Sequence, residues 1–225
     1  MKCIYKIELV DGNPVILHGE KRYLVDTGSP ITFGNEDIVD FCGRNWSTKD
    51  SVMGCGINGI ADMVGAPLDA IIGLDVMSNF VISFDYRNSV VIFSDEAEDG
   101  LSYIPMSISQ DSGVSVEIEI DGQKGKCIID SGARLSYIIG NVPQNAKVVG
   151  HQTDYHPLAR SFETDVYEAE AILGGCTFTM RFGKLPQMIE MVLSMMQARV
   201  VIGRDLLSQY RVVLDFPHSR MALAV

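Results

Sequence analysis

Short apolar runs that alternate with polar residues dominate the chain, and this pattern is typical of β-strands. Val, Ile, Tyr and Phe are concentrated in these runs, and turns rich in glycine separate them. Brief helical patterns follow two late glycines, in DVMSNF and DLLSQY, and a longer one covers residues 186–197. We therefore predict an all-β protein with a few short helices.

The longer helical pattern, PQMIEMVLSMMQ, begins with proline at a first-turn position and is amphipathic. It contains four methionines. We interpret them as core filling, because methionine adapts to irregular gaps in a protein interior. A binding role for these methionines is the alternative.

The chain carries the same pattern twice. An acid, a hydroxyl residue and a glycine stand in apolar surroundings in YLVDTGSPITF and again in CIIDSGARLSYI, and the two acids, Asp26 and Asp130, are 104 residues apart. An Asp-Gly turn between apolar segments precedes each motif, in IELVDG and in IEIDG, and this is a hairpin signal. Residues 71–93 also align without gaps on residues 201–223. These repeats predict two halves with one plan.

The boundary between the halves is predicted near residue 98, in the acidic, turn-prone segment SDEAEDG. The first half is then residues 1–98 and the second half is residues 99–225. A chain of 225 residues is long enough for one large domain or two small ones. With 47% hydrophobic residues it has the composition of a folded globular protein.

The net charge of −11 argues against a nucleic-acid partner, since binding phosphates requires clustered Lys and Arg. The five cysteines are odd in number, scattered and without a CxxC motif, so they predict neither a disulfide scaffold nor a zinc site and favour a reducing compartment. The four histidines show no metal-ligand spacing, and we expect no metal. With no apolar run long enough for a leader or a membrane helix, the sequence predicts a soluble, cytoplasmic protein without membrane contact.

The two acid-hydroxyl-glycine loops, each followed by an apolar-apolar-glycine segment (IIG at 71–73 and VIG at 201–203), resemble the aspartic proteases of the pepsin and retropepsin type. The resemblance covers most of the chain. It implies a two-lobed, pepsin-like acid-protease fold built from two retropepsin-like β-barrel lobes, one from each half. It also implies a hydrolase, an aspartic-type endopeptidase, that needs no cofactor.

In that family two aspartates share one proton and activate a water molecule between them. The resemblance assigns these catalytic roles to Asp26 and Asp130. The ionised carboxylate acts as general base on the water, and the protonated partner polarises the scissile carbonyl. This chemistry accounts for two acids within apolar segments, where an unpaired charge would be costly.

The residues that follow each aspartate receive supporting roles from the same resemblance. Thr27 and Ser131 are expected to tie the two loops together. Gly28 and Gly132 are expected to bring backbone N–H groups close to the carboxylates.

The two halves differ at the next position, which is Ser29 in the first and Ala133 in the second. A hydroxyl that donates to a carboxylate stabilises its charged form, and alanine has none. We therefore expect a working pH less acidic than that of a dyad with hydroxyls on both sides. The later glycines of the family pattern, Gly73 and Gly203, are expected to lie beside the catalytic loops, where only glycine permits close backbone approach.

The first half is too short for the long flap that covers substrate in pepsin-like enzymes, and its corresponding segment, SVMGCGING, contains no tyrosine. This segment also satisfies the dinucleotide pattern GxGxxG, but no clear strand precedes it and no helical pattern follows, so we interpret it as a glycine-rich turn. Residues 151–173 of the second half are the better lid candidate, with Tyr155 and Phe162 as substrate-binding residues. An ordinary surface hairpin is the alternative.

Retropepsins place substrate-binding acids just beyond the triad, whereas this chain has Pro30 and Arg134 there. Substrate contacts must therefore differ. Arg204 resembles a structural arginine of retropepsins, but its usual acidic partner is missing. The acids Asp85 and Asp215 repeat late in the two halves, and we interpret them as structural.

The sequence thus predicts a monomeric peptidase that binds an extended polypeptide between its lobes. Two alternatives remain open. One is a catalytically inactive peptide-binding or scaffolding protein on the same fold. The other is a β protein that assembles with a partner chain and uses the acids structurally.

Overall fold

The computed structural model describes residues 1–109 and 113–224. Strands account for 54% of the residues and helices for 12%, which confirms the prediction of a mainly β protein with few helices. The elements of the first half are β1 (Lys2–Val10), β2 (Asn13–His18), β3 (Lys21–Val25), β4 (Phe33–Gly34), β5 (Ile38–Phe41), β6 (Arg44–Ser47), β7 (Ser51–Val52), β8 (Cys55–Gly56), α1 (Ile57–Val64), β9 (Ala70–Ile72), α2 (Leu74–Met77), β10 (Val81–Asp85) and β11 (Val90–Ser94).

The second half repeats much of this order. Its elements are β12 (Tyr103–Pro105), β13 (Ser107–Ser109), β14 (Gly113–Ile120), β15 (Gln123–Ile129), β16 (Ser136–Ile138), β17 (Lys147–His156), β18 (Arg160–Leu173), β19 (Cys176–Gly183), α3 (Gln187–Met195), β20 (Ala198–Ile202), α4 (Arg204–Gln209), β21 (Arg211–Asp215) and β22 (Arg220–Ala224).

Both Asp-Gly hairpins that the sequence predicts are present. Asp11 and Gly12 join β1 to β2, and Asp121 and Gly122 join β14 to β15. All four residues have positive φ angles between 51° and 91°. Two-residue hairpin loops of this type match the right-handed twist of the flanking strands. The turn therefore fixes the register of the strand that leads into each acid-hydroxyl-glycine loop.

The sheets show how closely the two halves are joined. A ten-stranded sheet has the order β12-β22-β21-β10-β11-β1-β2-β3-β9-β4, so it contains strands from both halves. The junction is the antiparallel pair β10 and β21. An eight-stranded sheet of the second half has the order β13-β14-β15-β20-β16-β19-β18-β17. The boundary predicted near residue 98 lies in the segment between β11 and β12.

One large apolar core contains buried residues from both halves, among them Phe84, Phe93 and Phe182. A smaller cluster lies under α1 in the first half, and another lies beside α3 in the second. Burying this apolar surface is the main driving force for the association of the two halves.

Helix α3 falls within the helical region that the sequence predicts, but the interpretation of its methionines as core filling is wrong. Met188, Met191 and Met195 are 59%, 58% and 80% exposed. Ile189 and Leu193, four residues apart, form the packed face instead. Because apolar residues cover most of the helix circumference, the pattern alone did not indicate which side faces the core.

The prediction that no helix follows the glycine-rich segment is also wrong, because α1 begins at Ile57, within that segment, and continues to Val64. Ile57, Ile60 and Val64 form the buried face of this helix, and Gly65 ends it in the left-handed conformation. Gly59 within the helix weakens its sequence signal. The two strands before α1, β7 and β8, have only two residues each and form a small antiparallel hairpin, unlike the longer strand of a dinucleotide-binding fold.

None of the helices in the described ranges has the length and apolar character that crossing a membrane requires. Within the same ranges, His, Cys, Asp and Glu side chains form no cluster of three or more that is suited to a metal ion. All five cysteines are free thiols.

Candidate active site

Asp26 and Asp130 each follow a strand that runs parallel to the strand leading into the later glycine, Gly73 or Gly203. Asp26 follows β3, which pairs with β9, and its backbone N–H donates to Ile72 O at 3.1 Å. Asp130 follows β15, which pairs with β20, and its N–H donates to Ile202 O at 2.9 Å. The same local pairing therefore holds both aspartates at the ends of buried strands.

The two glycines after the aspartates show how close the two loops are. A Cβ added to Gly28 would lie 2.6 Å from the carboxyl carbon of Asp130, and one added to Gly132 would lie 2.7 Å from that of Asp26. Both positions therefore require glycine. Each glycine also donates its backbone N–H to the aspartate of its own loop, at 2.8 Å for Gly28 and 3.0 Å for Gly132.

Thr27 and Ser131 join the two loops through reciprocal hydrogen bonds. The Thr27 N–H donates to Ser131 Oγ at 3.0 Å, and the Ser131 N–H donates to Thr27 Oγ1 at 2.9 Å. The hydroxyls then donate across the interface, from Thr27 to Ile129 O and from Ser131 to Val25 O, both at 2.8 Å. Both side chains are buried. These four bonds fix the separation and orientation of the aspartates.

The two carboxyl groups interact directly. Burial raises the pKa of Asp26, although its hydrogen bonds with the Gly28 N–H and with Asp130 oppose this shift. Burial also raises the pKa of Asp130 well above its ordinary value, and the negative charge of Asp26 and the hydrogen bond with it raise it further. The pKa of both carboxyl groups is therefore raised, that of Asp130 more strongly, and the two groups titrate as a pair.

Ser29 and Ala133 do not differ in the way the sequence suggested. The Ser29 hydroxyl donates to Ile31 O at 2.8 Å rather than to a carboxylate. The backbone N–H of Ser29 interacts with Asp26, and that of Ala133 interacts with Asp130. Since the backbone supplies both contacts, the expected effect of the hydroxyl on the working pH has no structural basis.

Gly73 and Gly203 each lie against the loop of their own half. A Cβ on Gly73 would lie 2.4 Å from Ile31 O, and one on Gly203 would lie 2.4 Å from Ala133 O. Their backbone N–H groups donate to hydroxyls four residues beyond the loop glycine, Thr32 Oγ1 at 3.0 Å and Ser136 Oγ at 3.1 Å. The segment after each acid-hydroxyl-glycine loop is thereby held in place.

Sequence reasoning missed the acids that hold these two hydroxyls. Asp75 accepts hydrogen bonds from Thr32 Oγ1 at 2.7 Å and from the Thr32 N–H at 2.8 Å. In the second half, Ser136 is hydrogen-bonded to Asp205. The gapless alignment of the halves pairs the two acids, and that repeat was the available signal.

The lid candidate, residues 151–173, lies mostly within one long hairpin formed by β17 and β18. Tyr155 is 44% exposed near the turn. Phe162 packs against Tyr137, with ring centroids 6.1 Å apart. The Tyr137 hydroxyl donates to the carboxylate of Asp154, which is buried opposite Phe162.

Tyr137 also lies close to the aspartate pair. Burial raises its pKa first, and the charges of Asp154 and Asp130 raise it further. Tyr137 therefore connects the turn end of the hairpin to the surroundings of Asp130. Neither Tyr137 nor Asp154 was recognised from the sequence, because their partnership spans 17 residues and depends on how the hairpin folds back.

An ion-pair cluster joins the two halves beside the loops. Asp11 pairs with Arg134 at 2.7 Å and with Arg204 at 4.0 Å. Asp11 is thus the counterpart of Arg204 that could not be identified from the sequence. Because all three side chains are partly exposed, the cluster contributes orientation more than stability.

The late acids have the structural surroundings that the sequence predicts. Asp85 accepts hydrogen bonds from Asn88 within a turn. Asp215 is fully buried and is paired with Arg220 at 2.7 Å and with His218 at 2.8 Å.

Comparison with known proteins adds no assignment, since the chain matches no protein-family model and no curated protein. The geometry by itself places two carboxyl groups side by side at the ends of buried strands, within a scaffold of backbone donors. Both aspartates are partly accessible to solvent. Such a pair can take a proton from water and give a proton to a substrate oxygen.

Proposed function

We propose that this protein is an aspartic endopeptidase with the two-lobed, pepsin-like fold, and that Asp26 and Asp130 activate the water that hydrolyses a peptide bond. The contact between the two carboxyl groups is the observation that carries the proposal. Two buried acids in contact with each other, both with raised pKa values, destabilise a fold, so their presence favours a functional role.

In the proposed reaction, Asp26 is the general base and Asp130 is the general acid. Asp26 takes a proton from the water as the water attacks the carbonyl carbon. Asp130 gives its proton to the carbonyl oxygen, and a tetrahedral diol results. Asp26 then transfers its proton to the amide nitrogen while Asp130 takes a proton from a hydroxyl of the diol. The C–N bond breaks, the amine and the carboxylic acid leave, and the dyad returns to its singly protonated form. The raised pKa of Asp130 supports its role as the acid.

The proposed substrate is an extended polypeptide that lies between the two halves and pairs through backbone hydrogen bonds. The hairpin of β17 and β18 is the proposed lid, with Tyr155 and Phe162 as substrate-contacting candidates. Support comes from the connection of this hairpin to Tyr137 near the dyad. In the first half, the segment that corresponds to the flap of the family forms a small hairpin, β7 and β8, with two residues in each strand. A monomer suffices, because one chain supplies both aspartates.

The small first-half hairpin also favours a second candidate, a peptide-binding protein on the same fold that does not cleave. A cleft covered from one side only excludes water less well during catalysis. The intact pair of carboxyl groups weighs against this candidate, because binding alone does not require it.

The test is to incubate the protein with a mixed peptide library over a range of pH values, with and without a statine-type transition-state mimic. We expect cleavage that the mimic inhibits. The variant Asp26→Asn keeps the shape of the side chain but removes the base, so we expect the rate to fall at least about a thousandfold.

The matched control is Asp85→Asn, because Asp85 is a hydrogen-bonded acid of the equivalent kind in a turn away from the dyad. This variant should cleave like the wild type. Cleavage that survives Asp26→Asn would refute the dyad. Peptide binding without cleavage by the folded wild type, at every pH tested, would establish the binding protein instead.

A further inference from the structure

We propose that Cys3 and Cys42 are a redox pair, in which oxidation by a hydroperoxide forms a disulfide that closes the first half covalently. Cys3 lies on β1, and Cys42 lies in the turn between β5 and β6. The inference does not depend on peptidase activity. It depends on the way the turn packs against β1.

Tyr5 places the Cys42 turn on β1. Its hydroxyl accepts the Cys42 backbone N–H at 3.1 Å and donates to Cys42 Sγ at 3.6 Å. Its ring stacks on Phe41, the preceding residue, with centroids 5.1 Å apart. Because side chains two residues apart on a strand share a face, Cys3 points to the same side of β1 as Tyr5.

Two further contacts hold the turn over the Cys3 end of β1. Phe93 is the cross-strand neighbour of Cys3 on β11, and its ring meets that of Phe41 at 4.8 Å. Arg44, two residues after Cys42, reaches Asp95 just beyond β11, at 3.7 Å. These contacts bring the two cysteines together: Cys3 packs against the apolar cluster that contains Cys42, and its thiol is near enough to raise the pKa of the Cys42 thiol.

The two thiols have different chemical roles. Cys3 is partly exposed, whereas Cys42 is 1% exposed, and burial raises the pKa of its thiol to about 12. Cys3 is therefore the thiol that an oxidant reaches, and Cys42 is the resolving thiol.

The reaction has two balanced steps. The Cys3 sulfur attacks the O–O bond of the hydroperoxide, which leaves a sulfenic acid on Cys3 and releases an alcohol, or water from hydrogen peroxide. The Cys42 sulfur then attacks the Cys3 sulfur. The S–S bond forms, and the departing hydroxide takes the Cys42 proton and leaves as water. Two thiols are oxidised and one peroxide is reduced.

The disulfide would join residues 3 and 42 and enclose the loop that contains Asp26. A link across a segment of this length restricts the unfolded chain, and it should raise the melting temperature by roughly 5–10 °C. Oxidation would thus make the first half harder to unfold without touching the carboxyl groups.

The experiment treats the folded, reduced protein with hydrogen peroxide, then counts free thiols and maps linked peptides by mass spectrometry without reduction. We expect the number of free thiols to fall from five to three, and the Cys3 peptide to be joined to the Cys42 peptide. The melting temperature should rise, and a reducing agent should reverse both changes.

The variants Cys3→Ser and Cys55→Ser form a matched pair, because both cysteines are partly exposed. Cys55→Ser should still form the link and gain the stability, whereas Cys3→Ser should do neither. The proposal fails if oxidised wild-type protein keeps all its thiols, or if oxidation stops at sulfinic acid on Cys3. It fails equally if the link joins another pair of cysteines.

Discussion

Thr27→Val probes the hydrogen bonds that hold the two acid-hydroxyl-glycine loops together. Valine keeps the branched shape of threonine but lacks the hydroxyl. The substitution removes the bond from Thr27 Oγ1 to Ile129 O at 2.8 Å and the bond from the Ser131 N–H to Thr27 Oγ1 at 2.9 Å. Since Thr27 is fully buried, water cannot readily replace either bond.

The magnitude follows from the two backbone groups that lose their partners. A buried donor or acceptor left without a hydrogen bond costs about 1–3 kcal/mol. Two such groups cost about 2–6 kcal/mol, and the additional apolar methyl group returns about 1 kcal/mol. We therefore expect Thr27→Val to lower the free energy of unfolding by about 1–5 kcal/mol. This is a large part of the roughly 5–15 kcal/mol that stabilises a typical domain.

Urea unfolding followed by circular dichroism and by tryptophan fluorescence measures this difference. With a slope of about 2–3 kcal/mol per molar urea, a loss of this size should lower the midpoint by roughly 0.5–2 M with little change in the slope itself. Thr153→Val is the matched control, because Thr153 lies exposed on the edge strand β17 and its hydroxyl reaches only the exposed Glu163, at 3.4 Å. The control should change stability by less than about 0.5 kcal/mol.

A Thr27→Val protein that unfolds at the same urea concentration as Thr153→Val would refute the reasoning. Such a result would mean that the hydroxyl of Thr27 does not bridge the loops, and the fixed separation of Asp26 and Asp130 would lose its physical basis.

Two further predictions concern the dyad and the hairpin. Because the raised pKa of Asp130 lets the folded state keep a proton that the unfolded chain releases, wild-type stability falls as the pH rises through that pKa. Asp130→Asn should therefore gain stability relative to the wild type from acidic to neutral pH in urea titrations, and a constant difference would contradict this. Tyr137→Phe removes the bond to buried Asp154, so amide hydrogen exchange should become at least about threefold faster in the outer part of the hairpin, residues 151–165. Unchanged exchange there, with Tyr167→Phe as control, would show that the bond does not anchor the hairpin.

Much of the local structure was determined by the sequence itself. The Asp-Gly dipeptides predicted both hairpins, because only residues that tolerate positive φ fit such turns. Alternating apolar residues predicted the strands, and the repeat placed Asp26 and Asp130 in equivalent surroundings. Glycine at positions 28 and 132 was part of the same pattern, and the close approach of the opposite carboxyl group explains it.

Only the tertiary structure decided how these elements meet. The pairing of β10 with β21 joins the halves in one sheet, although nothing in either strand specifies the other as its neighbour. The Ser29 hydroxyl turns to a backbone carbonyl, and the methionines of α3 face outward. Tyr137 and Asp154 became hydrogen-bond partners only when distant segments packed together, and the same kind of packing places the Cys42 turn on β1 through Tyr5.

The physical reason is the range over which each signal acts. Turn geometry and strand periodicity depend on dihedral angles and on neighbours a few residues away, so they can be recognised within a short window of sequence. Other features depend on which distant part of the chain packs against them. These are the direction of a hydroxyl, the exposed side of an almost wholly apolar helix and the proximity of two thiols. The two acids were therefore evident from the chain, whereas the raised pKa values of their carboxyl groups follow from burial and from the packing that brings one group against the other.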